Sequence, residues 1–128
     1  GVFVAPKSNI REPKDLADVP ISVGYQSGSH YSTIQALEQY MAFRDIKLSF
    51  ADGLIFSRME LLYDRKVPAA AVFSGAYYFL EQLGVRKIID STFMMASIIT
   101  GDPDPEDVRK YFRALRRAQR DIDLRPDL

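Results

Sequence analysis

Short apolar runs alternate with helical patterns along these 128 residues, and this alternation limits the possible folds more than any other feature. Strands are predicted at residues 2–5, 21–25, 47–51, 69–73, 85–89 and 94–100. Turn residues bound these runs, and segments with apolar residues at helical spacing separate most of them. Strands that alternate with helices build a mostly parallel sheet with helices on both faces. We therefore predict a single α/β unit of three layers.

The last helical pattern is the clearest single element. Asp104 is placed to cap it, and Pro105 suits the first helical position because its ring already has the helical φ. Acidic residues follow in the first turn, where they complement the positive end of the helix dipole. Apolar residues then recur at helical spacing as far as Ile122, and Pro126 marks the end. Shorter helices are predicted around residues 34–41, 54–62 and 77–83.

Charge and composition exclude several classes of function. The 17 basic and 17 acidic side chains cancel, so no net field attracts the chain to nucleic acid or anionic lipid. The sequence contains no cysteine, which excludes disulfides and thiolate chemistry. No apolar run approaches the ~20 residues of a transmembrane helix. The last helix carries a basic face without interleaved aromatic residues, which indicates a solvated surface rather than a nucleic-acid site.

The loop after the second predicted strand is the first candidate site, and it contains Gln26, Ser27, Gly28, Ser29 and His30. Ligands of parallel sheets bind beyond the carboxyl ends of the strands, where such loops lead into helices. Free N–H groups of the first helical turn, with the two serine hydroxyls, would form a cradle for a carboxylate, sulfonate or phosphate. In the alternative interpretation, Ser29 only caps the helix, Gly28 only makes the turn, and the single histidine lies at the surface.

The loop after the strand at residues 69–73 is the second candidate site. Ser74, Tyr77 and Tyr78 follow small residues there, and they would form an aromatic wall with hydroxyl groups over a small ligand. Alternatively, one tyrosine packs into the core and the other covers the surface.

No motif of an enzyme or a metal site is present. The sequence has no Gly-Lys-Ser/Thr phosphate loop, no Gly-x-Gly-x-x-Gly and no Gly-x-Ser-x-Gly. The acidic residues at 102–107 lack the glycine and the distal glutamate of a calcium loop. His30 has no local partner that would orient it as a general base. We therefore predict a protein that is not an enzyme and that needs no cofactor or metal.

Several short motifs follow one another in a recognisable order. Pro13-Lys14-Asp15-Leu16 precedes a Val-Gly strand, and Ser27-Gly28-Ser29-His30 follows it. The bend Leu83-Gly84-Val85-Arg86 and the helix start Pro105-Glu106-Asp107-Val108 come later. This order resembles the second lobe of type II periplasmic solute-binding proteins of ABC importers. The most similar group contains the NMT1/THI5-like pyrimidine-precursor binders and the nitrate, sulfonate and taurine binders.

The resemblance implies a function and a set of partners. Residues 1–128 would form one lobe of a two-lobe periplasmic protein, although the N-terminus shows no signal-peptide pattern. A polar or anionic organic solute would bind in the cleft between this lobe and a missing first lobe, and an ABC permease would receive it. Two other members of the fold stay open as alternatives. They are the effector-sensing domain of LysR-type transcription regulators, and a lobe of a decarboxylase or pyrimidine-precursor enzyme.

A lobe without its partner is predicted to self-associate. Strand edges and apolar surface near Val2, Phe3 and Ile98 would be exposed, and a homodimer that shares terminal elements would cover them. Because apolar burial drives this association, high salt should not dissociate the dimer. Light scattering at micromolar concentration in low and in high salt measures this, and a monomer under both conditions contradicts it.

Overall fold

A computed structural model describes residues 1–50, 55–93 and 98–125 of the chain. The chain divides into two compact units, Gly1–Met94 and Met95–Leu128. In the first unit the strands are β1 (Val2–Val4), β2 (Pro20–Val23), β3 (Lys47–Phe50), β4 (Ala69–Ala71) and β5 (Arg86–Ile89). Its helices are α1 (Gly28–Leu37), α2 (Ile55–Tyr63) and α3 (Gly75–Gln82), with 3-10 turns at Pro13–Leu16 and Phe43–Asp45. The second unit contains α4 (Pro105–Leu124).

The five strands form one sheet in the order β3-β2-β4-β1-β5. Strand β2 is parallel to both of its neighbours, with Ile21 opposite Leu48 on one side and opposite Ala69 on the other. Strand β1 is antiparallel to β4 and to β5, so these two strands run in the same direction. The predicted α/β fold, a mostly parallel sheet with helices on both faces, is confirmed. The single reversed strand was not foreseen.

Side chains of β1 alternate between the two faces of the sheet and seed a separate core on each. Val2 and Val4 belong to the core that packs against α1, where Leu37 is fully buried. Phe3 points to the other face and joins Leu62 of α2 and Leu80 of α3. Successive side chains of a strand project to opposite faces, so one apolar run fills both cores. The result is the predicted three-layer arrangement.

The second unit confirms the capping pattern predicted for the last helix. Asp104 precedes α4, and its Oδ1 atom accepts a hydrogen bond of 2.7 Å from the backbone N–H of Glu106. Glu106 also forms an ion pair of 3.2 Å with Arg109 one turn further on. Pro126, predicted to mark the end, lies outside the described residues. No helix in the described ranges combines the length and the apolar character needed to cross a membrane.

Two local predictions differ from the described structure. The predicted strand at residues 94–100 falls partly outside the described ranges, and the described residues 98–100 form no strand. The prediction that Ser29 caps the following helix is wrong, since α1 begins at Gly28 with Ser27 at the capping position. Neither serine side chain caps the helix, because the Ser27 hydroxyl donates to the Gly24 carbonyl and the Ser29 hydroxyl accepts from the Gly24 N–H. Gly84 follows the end of α3 with a positive φ of 75°, the conformation that glycine commonly provides after a helix.

Replacement of Phe3 by alanine should destabilise the first unit strongly. Its side chain is fully buried in the sheet centre, and such a truncation costs about 3–5 kcal/mol. That loss is a large part of the ~5–15 kcal/mol that stabilises a typical domain. Urea unfolding measures it, with Phe43→Ala as the control, because Phe43 is 63% exposed. Equal midpoints for the two variants would show that Phe3 is not a core residue.

Candidate functional site

Three loops lie at one edge of the sheet. Strands β2 and β4 are parallel neighbours, so the helices that follow them, α1 and α3, begin at the same edge. Strand β5 runs in the same direction as β4, and residues 90–93 therefore leave the sheet at this edge too. The carboxyl edge of a parallel sheet is where ligands usually bind. Both predicted candidate loops are located there.

Hydroxyl groups of the first candidate loop bond to one another and to the end of β2. The Ser29 hydroxyl accepts a hydrogen bond of 3.1 Å from the Gly24 N–H, and the Ser27 hydroxyl donates to the Gly24 carbonyl at 2.8 Å. The two hydroxyl oxygens are themselves 2.8 Å apart. Among the described residues, no acceptor pairs with the N–H groups of Gly28 and Ser29. The first turn of α1 therefore offers two free donors beside two hydroxyls.

Arg58 of α2 is the residue of this site that sequence analysis missed. Its side chain is only 4% exposed, and its Nη1 atom donates a hydrogen bond of 3.0 Å to the Ser29 hydroxyl. Within the described ranges its Nε atom has no hydrogen-bond partner, and no carboxylate forms an ion pair with it. Burial lowers the pKa of Arg58 because it disfavours the charged form. A buried charge without a counterion is costly, so this site favours an anion.

A sequence signal for Arg58 did exist. Residues 55, 58, 59 and 62 share one face of a helix, and the other three are isoleucine, methionine and leucine. A cation that shares such a stripe with three apolar residues faces the core together with them.

Gln26 and His30 bond to each other at the outer side of the same loop. The backbone N–H of Gln26 donates to His30 Nδ1 at 3.2 Å, and Gln26 itself has a positive φ of 48°. The His30 ring stacks on Tyr31 with centroids 4.8 Å apart and contacts Phe50 edge-on at 5.0 Å. Because Nδ1 accepts a hydrogen bond, the second ring nitrogen carries the proton in neutral His30.

Residues of the second candidate loop lie in different environments. Ser74 has φ 60° and ψ −158°, a conformation that costs a residue other than glycine about 1–3 kcal/mol. The Tyr77 ring packs against Phe3, with centroids 6.0 Å apart, and belongs to the rim of the core on that face. Tyr78 is 60% exposed. A ligand-binding role for these three residues stays a prediction.

Two phenyl groups that were not predicted adjoin the Arg58–Ser29 hydrogen bond. The Phe73 ring lies 5.9 Å from the guanidinium carbon of Arg58. Phe93 packs directly on Gly28, where a Cβ atom would lie 2.5 Å from its ring, so only glycine fits without displacing the phenyl group. Asp90 holds the segment that carries Phe93, because its carboxylate accepts hydrogen bonds from the Thr92 N–H, at 2.8 Å, and from the Thr92 hydroxyl.

Taken together, the polar groups of this edge are donors suited to an anion. They comprise the Arg58 guanidinium and the two free N–H groups, whereas the Ser27 hydroxyl donates to the Gly24 carbonyl and the Ser29 hydroxyl therefore donates to Ser27. In the part of the chain that the structure describes, no three metal-ligating side chains lie close together.

Comparison with known proteins identifies the fold. The periplasmic aliphatic sulphonate binding protein SsuA from Escherichia coli is 27% identical, with a TM-score of 0.59 over 70% of this chain and 29% of that one. The alkanesulfonate-binding protein SsuA from Xanthomonas axonopodis pv. citri, bound to MOPS, is 24% identical, with a TM-score of 0.58 over 68% and 30%. The substrate-binding protein of an amino acid ABC transporter is 18% identical, with a TM-score of 0.50 over 66% and 35%. No family model and no curated protein matches.

These likenesses confirm that the chain has the fold of periplasmic binding proteins, as the sequence motifs indicated. The matched region spans about a third of the length of those proteins.

Acidification should release the turn that carries Phe93. Hydrogen bonds from Thr92 lower the pKa of Asp90 to about 2, and the bond from the side chain has a larger effect than the bond from the backbone. A carboxylate with a lowered pKa stabilises the folded turn at pH values above its ordinary pKa of about 4. This stabilisation is lost as the pH falls toward 2. Carboxyl NMR should show a midpoint near 2, and the protection of the Thr92 amide relative to its intrinsic exchange rate should fall below that pH. In Asp90→Asn this protection should no longer change with pH, and a wild-type midpoint near 4 contradicts the prediction.

Proposed function

We propose that the chain is a lobe of an ABC-importer solute-binding protein and that Arg58 holds the anionic group of its solute. The burial of this cation beside Ser29, without a carboxylate partner in the described residues, is the observation that carries the proposal. Proteins of this fold close two lobes around a ligand by a hinge motion. Residues 1–128 would then supply the second lobe of a periplasmic protein, and a first lobe and a permease would be its partners.

The donor set supports a sulfonate or a carboxylate as the bound group. Hydrogen bonds from a guanidinium to an oxyanion are about twice as strong as neutral ones, and N–H groups at a helix start add to them. A sulfonate has three oxygens, which would be shared among Arg58 and the Gly28 and Ser29 N–H groups. Two of the structural neighbours are sulfonate-binding proteins, which supports the same assignment.

The remaining predicted residues would surround the bound group. Gln26 and His30 would contribute side-chain contacts at the outer side of the first loop, and Ser74, Tyr77 and Tyr78 would shape the side toward α3. The site supplies donors without a paired nucleophile and base in the described residues, so binding rather than catalysis is the proposed activity. The structural neighbours named above are likewise binding proteins.

Replacement of Arg58 by methionine should abolish anion binding without unfolding the protein. Methionine fills a similar volume, and removal of a buried charge is often neutral or stabilising. Methanesulfonate should stabilise the wild type, by about 2.7 kcal/mol at a hundredfold excess over Kd, and should not stabilise Arg58→Met. One lobe makes only part of the contacts to the ligand. We therefore expect a Kd in the millimolar range, which corresponds to a binding free energy of about −4 kcal/mol.

Thermal unfolding in methanesulfonate and in chloride at equal ionic strength measures this effect. Arg44→Met is the matched control, because it removes the same charge from a side chain that is 88% exposed. Equal stabilisation of Arg58→Met and the wild type would exclude Arg58 as the anion site. Equal loss in both variants would indicate a general effect of charge.

A further inference from the structure

A cavity of about 670 Å³ lies between α2 and α3 in the first unit. Its walls include the phenyl rings of Phe56, Phe73 and Phe79, together with Ile55, Met59 and Gly75. Pockets that bind small molecules usually measure ~300–1,000 Å³ and are mostly apolar with a few polar groups. This cavity therefore has the size and the lining of a ligand site. Ser74 contributes a polar group to its wall, but Arg58 and the two free N–H groups do not line it.

Phe73 connects this cavity to the anion site. Its ring lines the cavity and also lies 5.9 Å from the guanidinium carbon of Arg58. Arg58 itself stands next to Met59 on α2, and Met59 lines the cavity. A single small molecule could thus place a charged group at Arg58 and an apolar body beyond Phe73.

The three phenyl rings of the cavity wall are each about half exposed. Phe56 is 59% exposed, Phe79 51% and Phe73 48%. Clustered apolar exposure of this kind marks binding surfaces on soluble proteins. Contacts between aromatic rings add stabilisation beyond the burial of area, because edge and face have opposite partial charges. An aromatic occupant would gain this contribution, and an alkyl group of equal size would not.

Resting on the proposed function, we propose that the solute is an aryl anion, with its charged group at Arg58 and its ring in the cavity between α2 and α3. The cavity selects for the aromatic ring of the solute. Arg58 binds the charged group, which every sulfonate has. Phe73 contacts both parts of such a ligand.

Gly75 provides a way to test the cavity without touching Arg58. It lines the cavity, and a Cβ atom built on it would meet no atom within 4 Å apart from its chain neighbours and the backbone of its own helix. The space next to its Cα is therefore open to a side chain. Gly75→Leu therefore fills part of the cavity, and Gly75→Ala is the matched variant that leaves most of the space open.

NMR titration of the full chain with three sulfonates measures the selectivity. Methanesulfonate probes the charged group alone, and benzenesulfonate and cyclohexanesulfonate differ in aromaticity at nearly equal size. Benzenesulfonate should bind about 2- to 12-fold more tightly than cyclohexanesulfonate. In Gly75→Leu both cyclic ligands should lose their advantage over methanesulfonate, whose own affinity should not change. Gly75→Ala should retain the wild-type order.

A second variant keeps the test decisive if Gly75→Leu does not fold. Phe56→Leu retains an apolar side chain but removes one ring, so the ratio between the two cyclic ligands should fall toward one. Equal wild-type affinities for benzenesulfonate and cyclohexanesulfonate would overturn the aromatic assignment while the anion site stands. Unchanged binding of the cyclic ligands by Gly75→Leu would overturn the cavity as their site. Failure of all three sulfonates to bind would overturn both this proposal and the proposed function.

Discussion

The hydrogen bond between Arg58 and Ser29 joins helices that cover opposite faces of the sheet. Helix α1 packs against the core that contains Val2, and α2 packs against the core that contains Phe3. The bond therefore passes around the carboxyl edge of the sheet and fixes the first turn of α1 relative to α2. It also holds a cation out of water, so the same contact that organises the edge disfavours the empty site. Anion binding would relieve that cost at the place where the two layers meet.

The reversed strand β1 explains how a sheet of such short strands holds the loops of the site together. Its three residues are fully buried and divide their side chains between both cores. It pairs with β4 on one side and β5 on the other, and it thereby brings the segment after β5 to the same edge as α1. Phe93 can pack on Gly28 only because of this arrangement. The loops of the site thus rest on a strand that contributes none of their polar groups.

Local sequence patterns predicted most of the helices and strands. The errors concern features that depend on contacts between residues far apart in the sequence. The β2 run, the cap of α4 and the glycine at the end of α3 each depend on neighbours within a few residues. The reversal of β1 depends on pairing with strands more than sixty residues away, which no local pattern encodes. Ser29 was predicted as a cap because its position fits one, but its hydroxyl has a stronger set of partners in Gly24 and Arg58. Arg58 is 29 residues from Ser29, and only its place in an apolar stripe indicated burial.

Under the proposed function, a buried arginine in place of an apolar residue links stability and recognition. An apolar side chain at position 58 would pack without a desolvation cost, so the cation lowers the stability of the empty unit, and affinity for an anion would be the corresponding gain. The desolvated cation lies in a contact between α1 and α2 rather than in a mobile loop. An anion that satisfies Arg58 would therefore tighten both helices against the sheet, and binding would stiffen the whole edge. For a lobe that closes on its ligand, a stiffer edge would present the bound group in one fixed orientation.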